Sequence, residues 1–178
     1  MTLTPLLYSL RLRSRAEPMR YMVLGFAYIL LVLLCEVTWA RDVAIIVHRD
    51  NTTSELSLEE LSKIFAQERQ YWEIGKKIYL ILQEAGSPEK QVVLRKIYHK
   101  ANDDELKKFW LGKIFRGETT AFPATLSSNE AVKRFVSQAI NAIGVIAPTF
   151  VDDSIKVLRI DGKLPGERGY VLSDGAAE

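Results

Sequence analysis

The sequence has little of the chemistry on which most enzymes depend. It holds one cysteine, Cys35, and two histidines, His48 and His99, among 178 residues. Neither histidine has metal-ligand spacing to a second histidine or to a carboxylate. Nucleophile, phosphate-loop and dinucleotide motifs of the GxSxG, GxxxxGK[ST] and GxGxxG types are also missing. The sequence therefore predicts no enzyme, no metal site and no cofactor.

An excess of one charge is missing from most of the chain. The whole sequence has 24 basic and 22 acidic residues, and residues 1–40 hold four of the arginines and two of the glutamates. Residues 41–178 therefore carry 20 residues of each sign and a formal charge of zero. Proteins that neutralise nucleic-acid phosphates need a basic excess. We therefore expect no nucleic-acid partner.

Only one long apolar run is present, residues 22–34 with the sequence MVLGFAYILLVLL. It is too short for a membrane span, which needs about 20 residues. Arg20 precedes the run, and Thr38-Trp39-Ala40 follows it with small residues at the two positions that a signal peptidase inspects. The pattern predicts a signal peptide over residues 1–40, with Met19 as an alternative start, and export to the periplasm or an equivalent space.

Lipid anchoring is not expected after export. Cys35 follows Leu34, which is bulkier than the residue that lipid attachment requires before the cysteine. Removal of residues 1–40 would leave no cysteine, which excludes disulfide and zinc-thiolate chemistry from the remaining chain. We expect residues 41–178 to form a single domain with a short C-terminal tail.

Residues 41–178 alternate between strand-like and helix-like patterns. Short apolar runs predict strands at residues 43–47 and 78–82, with weaker candidates at 144–147, 156–160 and 170–172, the last as an edge strand or a docked tail. Residues 117–127 lack periodicity and are interpreted as a surface loop. Strands separated by helices favour parallel pairing. The predicted fold is a three-layer α/β sandwich with a mixed, mostly parallel sheet of four or five strands.

Helix start signals separate these strands. Ser57 with Glu60 forms a capping-box pattern, and Asn102 and the Ser127-Ser128 pair offer similar caps. Ser87-Pro88-Glu89 combines a serine cap, a proline at the first helical position and an acid in the first turn. The Asp103-Asp104-Glu105 cluster is interpreted as partners of a helix dipole in preference to a metal site.

Two positions keep a functional alternative open. His48 ends a predicted strand, where it could line a crevice, although a polar residue that finishes a strand is the favoured interpretation. Gly86-Ser87 joins a predicted strand to a predicted helix, where free amides and a hydroxyl could hold an anion. A hydrolase that uses Ser87 or His48 is the least supported alternative.

The order of these signals resembles one known family. The segment SLEELSKIFAQERQYWEIGKKIYLILQ, followed by FWLGKIFRGE and NAIGVIAP, is similar to the order of motifs in the phosphate-binding proteins of ABC transporters. The resemblance extends over residues 42–162. Those proteins are two-lobed and about twice as long, so the chain resembles a single lobe of the type 2 periplasmic-binding-protein fold.

The resemblance implies a ligand site at Gln83, Gly86 and Ser87. Gly86 and Ser87 match the start of the family's phosphate turn, whereas Gln83 stands where the family has an arginine. Pro88 and Glu89 replace a glycine and a threonine of that turn, which removes one amide donor and adds a negative charge. The substitutions imply weak binding at most.

Two functions follow from the resemblance. The first is a non-enzymatic periplasmic solute-binding module that recognises phosphate or another small anion weakly. The alternative is an adaptor or sensory interaction protein that has lost its ligand. Under either function the expected partners are a membrane transporter or sensor, or a second copy of the chain.

Overall fold

The computed structural model describes residues 41–174. The predicted signal peptide, with its alternative start at Met19 and its cysteine, lies outside the described residues, as do the last four residues of the tail. Within residues 41–174, no helix has both the length and the apolar character needed to cross a membrane.

Seven strands and four helices build the described part of the chain. The strands are β1 (Ala44–His48), β2 (Glu55–Leu56), β3 (Tyr79–Gln83), β4 (Ala124–Leu126), β5 (Ala142–Ile146), β6 (Ile155–Val157) and β7 (Arg159–Ile160). The helices are α1 (Leu58–Phe65), α2 (Pro88–Val93), α3 (Asp103–Phe115) and α4 (Asn129–Gln138). A π-helical turn, Leu94–Tyr98, continues α2, and a 3-10 turn, Pro148–Phe150, follows β5.

The main sheet has five strands in the order β4-β3-β5-β1-β6. The strand pairs β3–β4 and β3–β5 are parallel, whereas β1 runs antiparallel to both of its neighbours, β5 and β6. Four of the five strands therefore point in one direction. The predicted mixed, mostly parallel sheet is confirmed, and β1 is its one reversed strand.

Helices cover both faces of this sheet. Successive side chains along each strand point to opposite faces of the sheet and enter two separate cores, as expected for strands buried on both faces. One core joins the sheet to α1, α2, the π-helical turn and α3, and it contains Ile45, Leu82 and Trp110. The other core joins the sheet to α4 and contains Ile46 and Val132. The three-layer α/β architecture is thus as predicted.

The predicted caps start all four helices. Ser57 and Glu60 form a complete capping box on α1, and the Asn102 side chain accepts from the Glu105 N–H at the start of α3. Ser87 caps α2, with Pro88 at the first helical position. At α4 the cap is Ser128, whose hydroxyl accepts from the Ala131 N–H.

Two segment predictions need correction, and for a third segment the structure selects one of two predicted alternatives. Residues 117–127 are not wholly loop, because β4 lies within them; its side chains are mostly exposed, so no apolar run marks it. Residues 156–160 do not form one strand, since β6 and β7 belong to different sheets, and β7 pairs in parallel with β2. Residues 170–172 form the docked tail, the second of the two predicted alternatives, in which the Val43 N–H donates to the Leu172 carbonyl at 3.1 Å.

Candidate functional site

The candidate site lies where β3 and β5 end. Ile81 pairs with Gly144, so Gln83 at the end of β3 lies level with Ile146 at the end of β5. Ligands of open α/β sheets bind outside the carboxyl ends of parallel strands. The start of α4 and the turn that leads into α2 are tied to this same edge of the sheet.

Gln83 is buried within a network of protein contacts. Its side chain is only 4% exposed, and its Nε2 donates to Asn129 Oδ1 at 2.7 Å. The same nitrogen lies 3.4 Å from the carbonyl oxygen of Val145. Both contacts are internal, so the Gln83 amide holds the end of β3 to α4 and β5.

Asn129 is the centre of this network. As the first residue of α4, it accepts from the Ala147 N–H through Oδ1 at 2.9 Å, in addition to its bond from Gln83. Its Nδ2 donates to Glu89 Oε1 at 3.1 Å. One amide side chain therefore joins the ends of β3 and β5 to the first turn of α2. The sequence interpretation missed Asn129, although its place after two serines at a helix start marks it as a residue near the cap.

Glu89 supplies a negative charge at the same place. The residue is 7% exposed, and its carboxylate accepts from Asn129 at the N-terminus of α4, where a helix dipole favours an anion. The protein thus places one of its own oxyanions beside Asn129 and Gln83.

Gly86 and Ser87 build the turn between β3 and α2. Gly86 has φ = +84°, a conformation that favours glycine, and nothing lies within 4 Å of the position where a Cβ would stand. The Ser87 hydroxyl accepts from the Lys90 N–H at 3.2 Å, and Pro88 opens a helix of six residues. These contacts give Gly86 a conformational role and Ser87 a capping role.

The histidines lie away from this edge. Because β1 is antiparallel to β5, its last residue, His48, stands beside the start of β5, at the opposite edge of the sheet from Gln83. His48 Nδ1 accepts from the Asp50 N–H at 3.1 Å. This local bond fits the favoured interpretation of His48 as a polar residue that finishes the strand. His99 is an exposed residue with φ = +52° that directly follows the π-helical turn. Residues 41–174 contain no cluster of three side chains suited to a metal ion.

Two cavities lie beside the edge strand β4. The larger has a volume of about 430 Å³ and is lined by residues 117–124 and by side chains that include Arg69 and Lys77. The smaller has a volume of about 260 Å³ and apolar walls that include Leu106 and Trp110. Phe122 and Pro123 line both cavities. Neither cavity includes Gln83, Gly86 or Ser87.

Phosphate-binding proteins are among the solved structures that share this architecture. No protein-family model matches the chain. An ABC-type phosphate transport receptor from Vibrio cholerae superposes with a TM-score of 0.61 at 20% identity, covering 75% of this chain and 54% of the receptor. PstS from Borrelia burgdorferi gives 0.58 at 16% identity, covering 75% and 55%. A phosphate ABC transporter substrate-binding protein from Clostridium perfringens, solved with bound phosphate, gives 0.56 at 23% identity, covering 69% and 46%.

The fold is that of one lobe of a phosphate-binding protein. The chain spans about half the length of the structures that it matches. The likeness confirms the type of fold that the sequence resemblance implied. At these identities it extends to the fold alone, so the roles of individual residues in the lobe have to be argued from their contacts.

Proposed function

We propose that this chain is a non-enzymatic, exported interaction module built on a binding-protein lobe whose anion position is filled by its own side chains. The observation that carries the proposal is the buried Glu89 carboxylate on the amide of Asn129. The sequence favoured weak anion binding over an adaptor role. The side-chain network supports the opposite order.

The network disfavours free phosphate at this edge of the lobe. The donor groups of Gln83 and Asn129 already have partners, and Ser87 already caps α2. A phosphate placed among them would also meet the Glu89 carboxylate, and two like charges 4 Å apart repel by about 4 kcal/mol near a protein surface. Both effects lower the affinity for an anion.

The part of the fold that the chain covers supports a role in protein contacts. It corresponds to about half of each phosphate-binding structure that shares the fold, and in two-lobed binding proteins the ligand crevice has one wall from each lobe. A partner protein, either a membrane transporter or a sensor, or a second copy of the chain could supply a second wall. We therefore place the function at the surface between this lobe and another protein.

The decisive experiment is isothermal titration of the purified chain with inorganic phosphate and, separately, with sulfate at millimolar concentrations. We expect no saturable heat. A dissociation constant below about 1 mM for either anion would contradict the proposal, because that affinity corresponds to more than about 4 kcal/mol of binding free energy.

Weak anion binding is the second candidate, and the donors at this edge support it. Movement of Glu89 would free Asn129 Nδ2, and the Ser87 hydroxyl, which accepts from the Lys90 N–H, keeps its own proton for donation to an anion. Gln83 Nε2 would first have to leave Asn129 Oδ1. Phosphate binding by the wild-type chain that is lost in Ser87→Ala would support this candidate.

Glu89→Gln tests whether the internal carboxylate excludes phosphate. We expect this variant to gain weak phosphate binding if the carboxylate alone blocks the position. The matched control is Glu84→Gln, since Glu84 is an exposed acid at the same edge and its replacement changes the net charge equally. An equal gain in both variants would assign the effect to net charge and not to the Glu89 position.

A further inference from the structure

The outer edge of β4 offers backbone hydrogen-bonding groups to solvent. β4 is the terminal strand of the main sheet and pairs only with β3. The Leu126 carbonyl accepts from the Glu84 N–H, so the backbone groups of Leu126 point toward β3. Successive residues of a strand turn their groups to opposite sides. Thr125 therefore directs both its N–H and its C=O outward.

The two cavities lie at different positions along this strand. The larger cavity is lined by Ala124 and Ile81 on the α4 face, by Phe135 of α4, and also by Ile64 and Leu80 of the other core, so it extends to both faces at the start of β3. The smaller is lined by Thr125, Leu82 and Leu106, on the face that carries α2 and α3. Because side chains alternate between faces along a strand, consecutive residues of a strand added to β4 would point toward different cavities.

The lining residues define the chemistry that each cavity accepts. The charged residues of the larger cavity are Arg69, Lys77 and Glu118; Arg69 is paired with Glu60, whereas Lys77 has no ion-pair partner within residues 41–174. This cavity suits an acidic side chain. The smaller cavity has an apolar floor, with Lys107 and the Lys90–Asp103 ion pair at 2.8 Å among its lining residues. It suits an apolar side chain.

A second copy of the chain does not supply this chemistry through its own β4. The segment from Phe122 to Ser128, FPATLSS, has no acidic residue, so two paired β4 strands would leave Lys77 without a counter-charge. Pairing between two β4 strands therefore does not fit the charges, whereas an acidic segment of a different protein does.

We propose that β4 is a docking edge for an extended segment of another protein that carries an apolar residue directly beside an aspartate or glutamate. The segment would add a sixth strand to the main sheet, with its backbone on Thr125, its apolar side chain in the smaller cavity and its acid near Lys77. Main-chain bonds would supply affinity, and the two cavities would supply specificity. This inference rests on the proposed function in one respect, namely that the lobe acts through another protein.

The test is selection of a phage-displayed library of random linear peptides on the immobilised chain, followed by titration of the most enriched synthetic peptide. We expect the enriched sequences to share an apolar residue adjacent to Asp or Glu. Thr125→Pro removes the outward N–H without touching a bond to β3, and proline is tolerated at an edge. Peptide affinity should fall about tenfold or more, because a peptide carbonyl loses its partner.

Two further variants separate the backbone from side-chain effects. Thr125→Val keeps the outward N–H and should retain affinity within about threefold. Lys77→Glu, at an exposed position, should weaken binding of the acidic peptide. A selection repeated on this variant should enrich peptides with Lys or Arg in place of the acid. Circular dichroism and thermal melts of each variant establish that the fold is retained.

The outcomes distinguish this inference from the proposed function. Failure to enrich any peptide, enriched peptides that bind Thr125→Pro unchanged, or equal losses in Thr125→Pro and Thr125→Val would each overturn the docking edge. Submillimolar phosphate binding would instead contradict the proposed function. A peptide that depends on β4 would then still establish the edge as a binding surface.

Discussion

Asn129 illustrates which parts of the candidate site a sequence can reveal. The cap at Ser87 depends on residues within one turn, and the structure confirms it. The partners of Asn129, by contrast, are Gln83, Glu89 and Ala147, which lie 18 to 46 positions away. No local pattern encodes such a junction. The ligand-binding role of Gln83, Gly86 and Ser87 stays a prediction, while their structural contacts are now defined.

Gly144 provides a test of packing at the scale of one residue. A Cβ at this position would lie 2.7 Å from Val132 Cγ1 and 3.1 Å from Val136 Cγ2, both in the fully buried core under α4. We expect Gly144→Ala to lower the free energy of unfolding by about 1–3 kcal/mol, the usual cost of overpacking. Urea denaturation of both proteins measures the difference.

The matched control for Gly144→Ala is the double variant with Val132→Ala, which removes the nearest methyl groups. If the clash is the cause, the two changes together should cost less than the sum of the single changes. An unchanged midpoint for Gly144→Ala would show that α4 can move away from β5 at little cost.

Elements with strong local signals were predictable, and elements defined by distant partners were not. The caps and apolar faces predicted α1 to α4, the buried runs predicted β1 and β3, and a weaker signal at residues 144–147 predicted β5. β2 has two residues, of which Leu56 is buried, and β4 has three mostly exposed residues, so neither strand carries an apolar run and only their pairing partners define them. The same limit applies to the reversed direction of β1, because direction within a sheet depends on the whole path of the chain.

The π-helical turn carries a test of pH dependence. Its last residue, Tyr98, is buried, donates its hydroxyl to the Phe65 carbonyl at 2.9 Å and makes edge-on contacts with Phe65, Phe109 and Trp110. Burial raises the pKa of the Tyr98 phenol far above its usual value of 10.0. In the unfolded chain this phenol ionises near pH 10. Its contribution to stability is therefore complete below pH 10 and is lost as the pH rises above that value.

We expect Tyr98→Phe to reduce the decrease in the free energy of unfolding at alkaline pH. At pH 7 the variant should be less stable by about 1 kcal/mol, since one hydrogen bond is lost. Between pH 9 and about pH 11 its free energy of unfolding should fall less steeply than that of the wild type. Urea midpoints across this range provide the measurement. Parallel curves for the two proteins would mean that Tyr98 ionisation is not linked to unfolding.

At the scale of the whole molecule, the C-terminal tail is hydrogen-bonded to the residues that directly precede β1. Tyr170 and Leu172 are buried, and the Tyr170 hydroxyl donates to the Val43 carbonyl at 2.9 Å. The Asp174 N–H donates to the Arg41 carbonyl at 3.0 Å. The two ends of the described chain thus hold each other, a connection that the weak strand signal at residues 170–172 only suggested.

Removal of residues 170–178 should therefore destabilise the whole lobe. Burial of one large apolar side chain contributes about 1.5–3 kcal/mol, so the loss of two should cost roughly 3–6 kcal/mol. Thermal and urea unfolding of the truncated chain measure this cost. The control is a chain shortened by residues 175–178 only, which keeps the contacts of Tyr170 and Leu172. Equal stability of the two truncations would contradict the proposed role of the tail.

The reversed strand β1 has a consequence for the time course of folding. Its partner β5 lies about a hundred residues further along the chain, and its other partner, β6, is further still. Contacts between such distant segments slow folding, because a long loop must close before they form. During synthesis β1 is made before its partners, so it stays unpaired until β5 and β6 near the end of the lobe have been synthesised. β1, the first strand of the described residues and the neighbour of the central strand β5, is therefore among the last strands to complete its pairing.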